Sequence, residues 1–214
     1  MKHRTNRSGQ GSNPMGKHSI TDLQDRLMRL ARDLGAHDAA IVDAKAIIVE
    51  DRLADLCRQP GCPSYGLAAS CPPHVGGPAQ FRRWQQAVDW AVLIRIDVPT
   101  PILLGEKRRG VFRKLHEIAA SIERSAIDSG WFEARAFAGG SCKELFCSDL
   151  PVCRVIHESG PCRHPDRARP SMSGFGIDVS RLMAAAGWEM NRITRATQAD
   201  AVPNGPITAL VLVG

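Results

Sequence analysis

Seven cysteines carry the strongest chemical signal in the 214-residue chain, because they fall into two tight groups. Cys57, Cys62 and Cys71 lie in one stretch, with four and then eight residues between them. Cys142, Cys147, Cys153 and Cys162 lie in a second, with gaps of four, five and eight. Several thiolates can converge on a centre a few ångströms wide only if the backbone bends, and the Gly and Pro between these cysteines supply bends. Pro directly follows Cys62 and Cys71, as it follows one ligand in bacterial ferredoxin runs. An odd number of cysteines, grouped in a chain without a secretory leader, points to metal or redox chemistry rather than to a disulfide framework. A free cysteine is ordinarily a small buried hydrophobe. That reading fits one or two of these residues but not seven that avoid the helix and strand patterns.

Neither group has the ferredoxin spacing or the paired C-x-x-C knuckles of zinc ribbons, and four soft thiolates serve either metal. The expected cofactor is an iron–sulfur cluster of the 4Fe–4S type, with zinc in a protein- or anion-binding module as the alternative. Cys142, Cys147, Cys153 and Cys162 are expected to form one complete site. Cys57, Cys62 and Cys71 supply three thiolates where a metal normally takes four ligands. That leaves a position for substrate and for Lewis-acid or redox chemistry. Competing readings give the fourth position to His74 or Tyr65, share a ligand with the other site, or leave the loop empty. His157 is a further candidate ligand by its nearness to Cys153. Around Cys162 the chain is basic, and Arg163, Arg167 and Arg169 are candidate cofactor- or anion-binding residues, since a guanidinium matches a carboxylate or a phosphate. The alternative is a solvated loop in which Asp166 pairs one arginine. Ser171 to Asp178, rich in Ser and Gly, reads as a helix-capping turn at the edge of the site.

Periodic segments must position these loops. Leu23, Leu27, Leu30, Ala31 and Leu34 share one face of a helix predicted over 21–34, with Thr21 and Gln24 as a capping box. Further helices are predicted over 78–90, 106–129 and 179–186, the last capped by Asp178. Strands are predicted over 39–42, 46–49, 90–98, 132–137 and 206–213, and 188–193 is a candidate to pair with the last through a Pro203-Asn204-Gly205 turn. The expected fold is α/β or α+β, a mixed sheet of about five strands covered by helices, with two cysteine-rich loops. Residues 21–214 read as one metal-binding domain.

Two motifs resemble those of a known family. Cys62-Pro63-Ser64-Tyr65-Gly66 through Cys71-Pro72-Pro73, and Pro161-Cys162-Arg163-His164-Pro165 through Gly176-Ile177-Asp178-Val179, look like a family of microbial predicted metal-binding proteins, a domain of unknown function. The resemblance covers roughly residues 20–214 and implies that all seven cysteines are candidate ligands. It implies no substrate and no reaction.

The formal charge of +6 is concentrated at the start. Residues 1–20 hold Lys2, Arg4, Arg7 and Lys17 and no acid, and read as a disordered basic tail; the rest is nearly neutral, with 24 basic against 22 acidic residues. Met15 offers an alternative start. A body so balanced does not predict a nucleic-acid partner. No long apolar run predicts a membrane span, and the expected setting is the cytoplasm. The expected partners are a redox protein or a small anionic substrate.

Overall fold

The computed structural model describes residues 17–191, 193–194 and 196–214. The expected tail lies outside the described residues up to residue 16. Its last four residues belong to the first helix, α1 (Lys17–Asp33), so Thr21 sits within that helix rather than at its cap. The chain continues through β1 (Asp38–Asp43), α2 (Asp51–Asp55), α3 (Gly77–Ala87), β2 (Trp90–Pro99) and α4 (Thr100–Leu104). It then forms α5 (Arg108–Asp128), β3 (Arg135–Ala138), α6 (Cys142–Phe146), α7 (Arg154–His157), α8 (Val179–Ala185) and β4 (Asn204–Val213).

Among the described residues the sheet has four strands in the order β1-β2-β4-β3, and each neighbouring pair is antiparallel. The expectation of a mixed five-strand sheet is therefore corrected on both counts. Residues 46–49 do not form a strand. Ala44–Ala46 is a 3-10 turn started by the Asp43 carboxylate, which accepts from Lys45 N, and only Val49 makes an isolated bridge, to Ile177. The stretch 188–193 is not a strand among its described residues either. β3 pairs only with Ala209–Leu212 of β4 and leaves the start of that strand uncovered, yet 188–193 does not pair there: Trp188 packs on the second core and the Ile193 side chain sits beside Gly205. Asn204 and Gly205, expected in a turn, pair with Pro99 and Val98 at the start of β4.

β2 and β4 are near-continuous apolar runs because the sheet is covered on both faces. Val92, Ile94, Ile96, Ala209 and Val211 point to a core closed by α1 and α5, where Leu115, Ile118, Ala119 and Ile122 form one helical stripe. Ala91, Leu93, Leu210 and Leu212 point the other way, against Phe81 of α3, Phe137, Phe175 and Leu182. Burying each of the large aliphatic or aromatic side chains contributes about 1.5–3 kcal/mol. Among the described residues no helix is long and apolar enough to cross a membrane.

This frame fixes the bases of both cysteine loops. The first leaves α2 and rejoins at α3, and the second leaves β3 and ends at α8. The second returns to its own root, where Ala138 N donates to Pro170 O (3.0 Å). The second loop is laced to the first at one point and to the segment before α2 at another. Ser171 N donates to Ser70 O (3.1 Å), and Glu50 N and Asp178 N donate to Gly176 O (2.8 Å) and Ile48 O (2.9 Å). Gly176 has a left-handed backbone (φ 71°), and a Cβ there would stand 2.4 Å from Glu50 O, so only glycine fits this seam.

Candidate metal centre

All seven cysteines are free thiols. They separate into the two groups expected from their spacing, each at its own cavity. Cys142, Cys147, Cys153 and Cys162 line a small hollow closed by Phe146, Arg163 and His164. Cys57, Cys62 and Cys71 line a larger opening of about 510 Å³, with Tyr65, Ser141 and Asp178 on its walls.

Local structure explains the placement. α6 is a single turn that carries Cys142 at its start and Cys147 just past its end, where Cys147 N donates to Lys143 O (3.2 Å). The Lys143 ammonium then donates to Cys147 O (2.7 Å) and Leu150 O (2.6 Å), folding the next segment back. Cys153 stands at the N-cap of α7. In the first loop a wide turn over Cys57–Gly61 brings Cys62 N to Cys57 O (2.9 Å). Cys71 N donates to Ala68 O (3.0 Å) and His74 N to Cys71 O (3.0 Å).

The thiols differ in electrostatic setting. Burial pushes the Cys142 thiol up to about 12, against the nearby Ser70 hydroxyl. Burial also raises Cys71, with Ser141 and Ser70 opposing, and it raises Cys57 with help from Cys62 and Cys71. Cys147 is raised by burial and by Cys162, although Arg163 pulls the other way. Cys153 is the exception: burial would raise it, but the amides of Ala69, Ile156 and Val155, with Arg163, hold it below the usual thiol value. Amides aimed at a sulfur favour the thiolate, the form that binds metal.

The two groups meet at two serines. Ser70 Oγ lies 2.9 Å from Cys142 Sγ and 4.0 Å from Cys71 Sγ, and Cys71 Sγ donates to Ser141 Oγ (3.5 Å). Neither serine is recognisable as part of the site in the sequence, because each matters only once the loops are folded against one another.

As the side chains stand, no three His, Cys, Asp or Glu among the described residues converge as one bound ion would require. The donor chemistry nevertheless fits a thiolate-bound centre, since four cysteines share the walls of one hollow and the surroundings of one of them favour its thiolate form. His74 and His157 are on the walls of neither cysteine cavity. His74 Nε2 is 3.2 Å from Gly66 O within its own loop.

The three arginines have different surroundings. Arg163 lines the four-cysteine hollow and pairs with Glu158 (3.1 Å). Arg167 pairs with Glu117 (3.4 Å) and its guanidinium carbon lies 5.8 Å from the centre of the Phe146 ring. Arg169 is buried, bound to Glu123 (2.6 Å) and donating to Pro165 O and Ala168 O. Its partners tie the second loop to α5.

Sequence reading also missed His116, which is fully buried beneath the second loop. Its Nδ1 accepts from Arg169 N (3.1 Å), so Nε2 carries the proton and donates to Gly139 O (3.0 Å). Burial, reinforced by Arg169 and opposed by the Gly139 carbonyl, lowers its pKa from 6.5 to about 4. The unfolded chain therefore takes up this proton near pH 6.5, whereas the folded one resists until about pH 4. Stability from the neutral ring is complete above the higher value and is lost as pH falls through that window, by about 3 kcal/mol. We expect His116→Gln to flatten this acid loss, measured as urea unfolding at about pH 7 and about pH 4.5. An unchanged pH slope would show that His116 titrates normally in the fold.

No curated protein and no solved structure matches the chain. The model of one protein family matches residues 40–213, which takes in both cysteine loops, all four strands but the first residues of β1, and the seam between the loops. The chain belongs to that family, described as predicted metal-binding protein (DUF2284).

Proposed function

We propose that the chain is an iron–sulfur protein of the cytoplasm. In this reading Cys142, Cys147, Cys153 and Cys162 hold one cluster of the 4Fe–4S type. Cys57, Cys62 and Cys71 hold a second centre whose remaining position faces the cleft. The observation that carries the reading is the division of the cysteines between a small hollow with four thiols and a larger, open cavity with three. A closed four-thiolate set suits storage or transfer of electrons, and a three-thiolate set beside open space suits contact with a substrate.

When bound, such a centre supplies redox or Lewis-acid chemistry that no protein side chain offers. The chain's own residues do the rest. The amides of Ala69, Val155 and Ile156 hold the Cys153 thiol below its usual value against the opposing effect of burial, which favours the thiolate. Ser70 and Ser141 place hydroxyls at Cys142 and Cys71, where a hydrogen bond to sulfur tunes a centre's potential. Arg163 offsets negative charge beside the four-thiol hollow.

The test is anaerobic reconstitution with iron and sulfide, followed by iron, zinc and sulfide analysis and an absorption spectrum. A brown protein containing iron and acid-labile sulfide is the expected result. A colourless protein that retains zinc through the same cysteines would overturn it, because zinc is d¹⁰ and spectroscopically silent.

A further inference from the structure

The opening at Cys57, Cys62 and Cys71 is one end of a longer cleft. A second cavity of about 1000 Å³ shares Cys62, Ser64, Gly140, Glu144, Ser173 and Met190 with it as common walls. Together they are large enough for a ligand of metabolite size or above.

Two features give the cleft a polarity. The first is apolar. Leu56 (51% exposed), Leu67 (49%), Leu104 (44%) and Met190 (38%) rank among the most exposed large hydrophobic side chains of the described residues. All four line this cleft. Exposed apolar side chains gathered on one concavity, rather than scattered, mark a surface that is covered when it works. The second feature is charge. At the end away from Cys57, Glu144 Oε1 stands 2.8 Å from the Arg108 guanidinium and 3.8 Å from that of Arg109. One carboxylate cannot neutralise two guanidiniums, so this end carries net positive charge. Lys143 also lines it, but its ammonium is engaged by Cys147 O and Leu150 O. At the cysteine end the one charged wall residue besides the thiols and the shared Glu144 is Asp178. An anion is therefore favoured at the arginine end.

We propose that this cleft binds an amphipathic oxyanion, a small molecule with an apolar body and one carboxylate or phosphate head. The head sits between Arg108 and Arg109, displacing part of their pairing with Glu144. The body lies along Leu104, Leu67 and Met190, and its uncharged end reaches Cys62. The hydroxyls of Ser64 and Ser173, midway along, serve an uncharged polar group. The assignment rests on the open-centre reading only for what happens at the cysteine end; the binding step itself does not need it.

The probes are phenylbutyrate, phenylbutyl phosphate and the uncharged phenylbutanol, titrated by calorimetry into the full chain, both reconstituted and metal-free. At least one anion is expected to bind about tenfold or more tightly than phenylbutanol, and the stronger of the two identifies the head group. The double variant R108A/R109A is expected to lose that preference while still binding phenylbutanol. Glu144→Gln, which removes the competing carboxylate, is expected to tighten the anion severalfold. Equal binding of anion and alcohol, or an anion affinity indifferent to all three substitutions, would overturn the proposal. Anion binding by a chain that holds no iron at the first loop would uphold the cleft and count against the open centre, so the two readings fail separately.

Discussion

Replacement of Cys147 by serine is expected to strip the second loop of its metal. Four thiols share that hollow and one lost ligand leaves three, with a serine hydroxyl that is a poor donor for a soft metal. Binding coupled to folding supplies on the order of 10–16 kcal/mol in small zinc domains, so losing it matters to the loop as well as to the metal. Residues 139–177 contain only short helical turns and lean on few apolar side chains. We therefore expect faster hydrogen exchange across 139–177 in the variant, with β2 and β4 unchanged, and iron lower by one cluster's complement. Iron content and exchange equal to those of the parent chain would remove Cys147 from the ligand set.

A second large effect is expected from joint replacement of Cys57, Cys62 and Cys71 by serine. The parent chain, reconstituted anaerobically, should show a spectrum that shifts on addition of small anions and thiolates, because these three cysteines leave a position open toward the cleft. The triple variant should keep the spectrum of the four-cysteine site and lose the response. Cys71 is buried, so this variant carries a risk of local disorder. Cys62→Ser alone, at an exposed position, provides the check, with the same loss of response expected on an intact fold. Identical iron content in parent and triple variant would show that the first loop holds nothing.

Much of this arrangement was legible in the residues. The apolar runs at 90–98 and 206–213 are the two central strands, and Asp178 caps α8 by accepting from Arg181 N (3.1 Å). The grouping of the cysteines by spacing reappears as their grouping by cavity. What failed did so for physical reasons. The 188–193 stretch has strand-like residues, but it does not pair with the start of β4, the part of that strand that β3 leaves uncovered. Trp188 instead packs on the core, with the Arg95 guanidinium carbon 4.9 Å from its ring centre. A run as short as 46–49 cannot outweigh a local turn that Asp43 caps. Arg169 reads as a cofactor- or anion-binding residue or as part of a solvated loop beside Cys162, yet it is buried and paired with Glu123, far away in sequence, which meets it from α5. Ser70, Ser141, Arg108, Arg109 and His116 gain their meaning from neighbours tens of residues distant, and single-sequence patterns carry no such information.

The position of β4 governs the order in which the parts become available. All seven cysteines precede it in the chain, and the last of them is separated from it by more than a full helix. β3, from which the second loop springs, has β4 as its sole strand partner. During synthesis both loops therefore emerge while the strand that joins them to one frame is still unmade. Every thiol is thus in the emerged chain before the sheet can close.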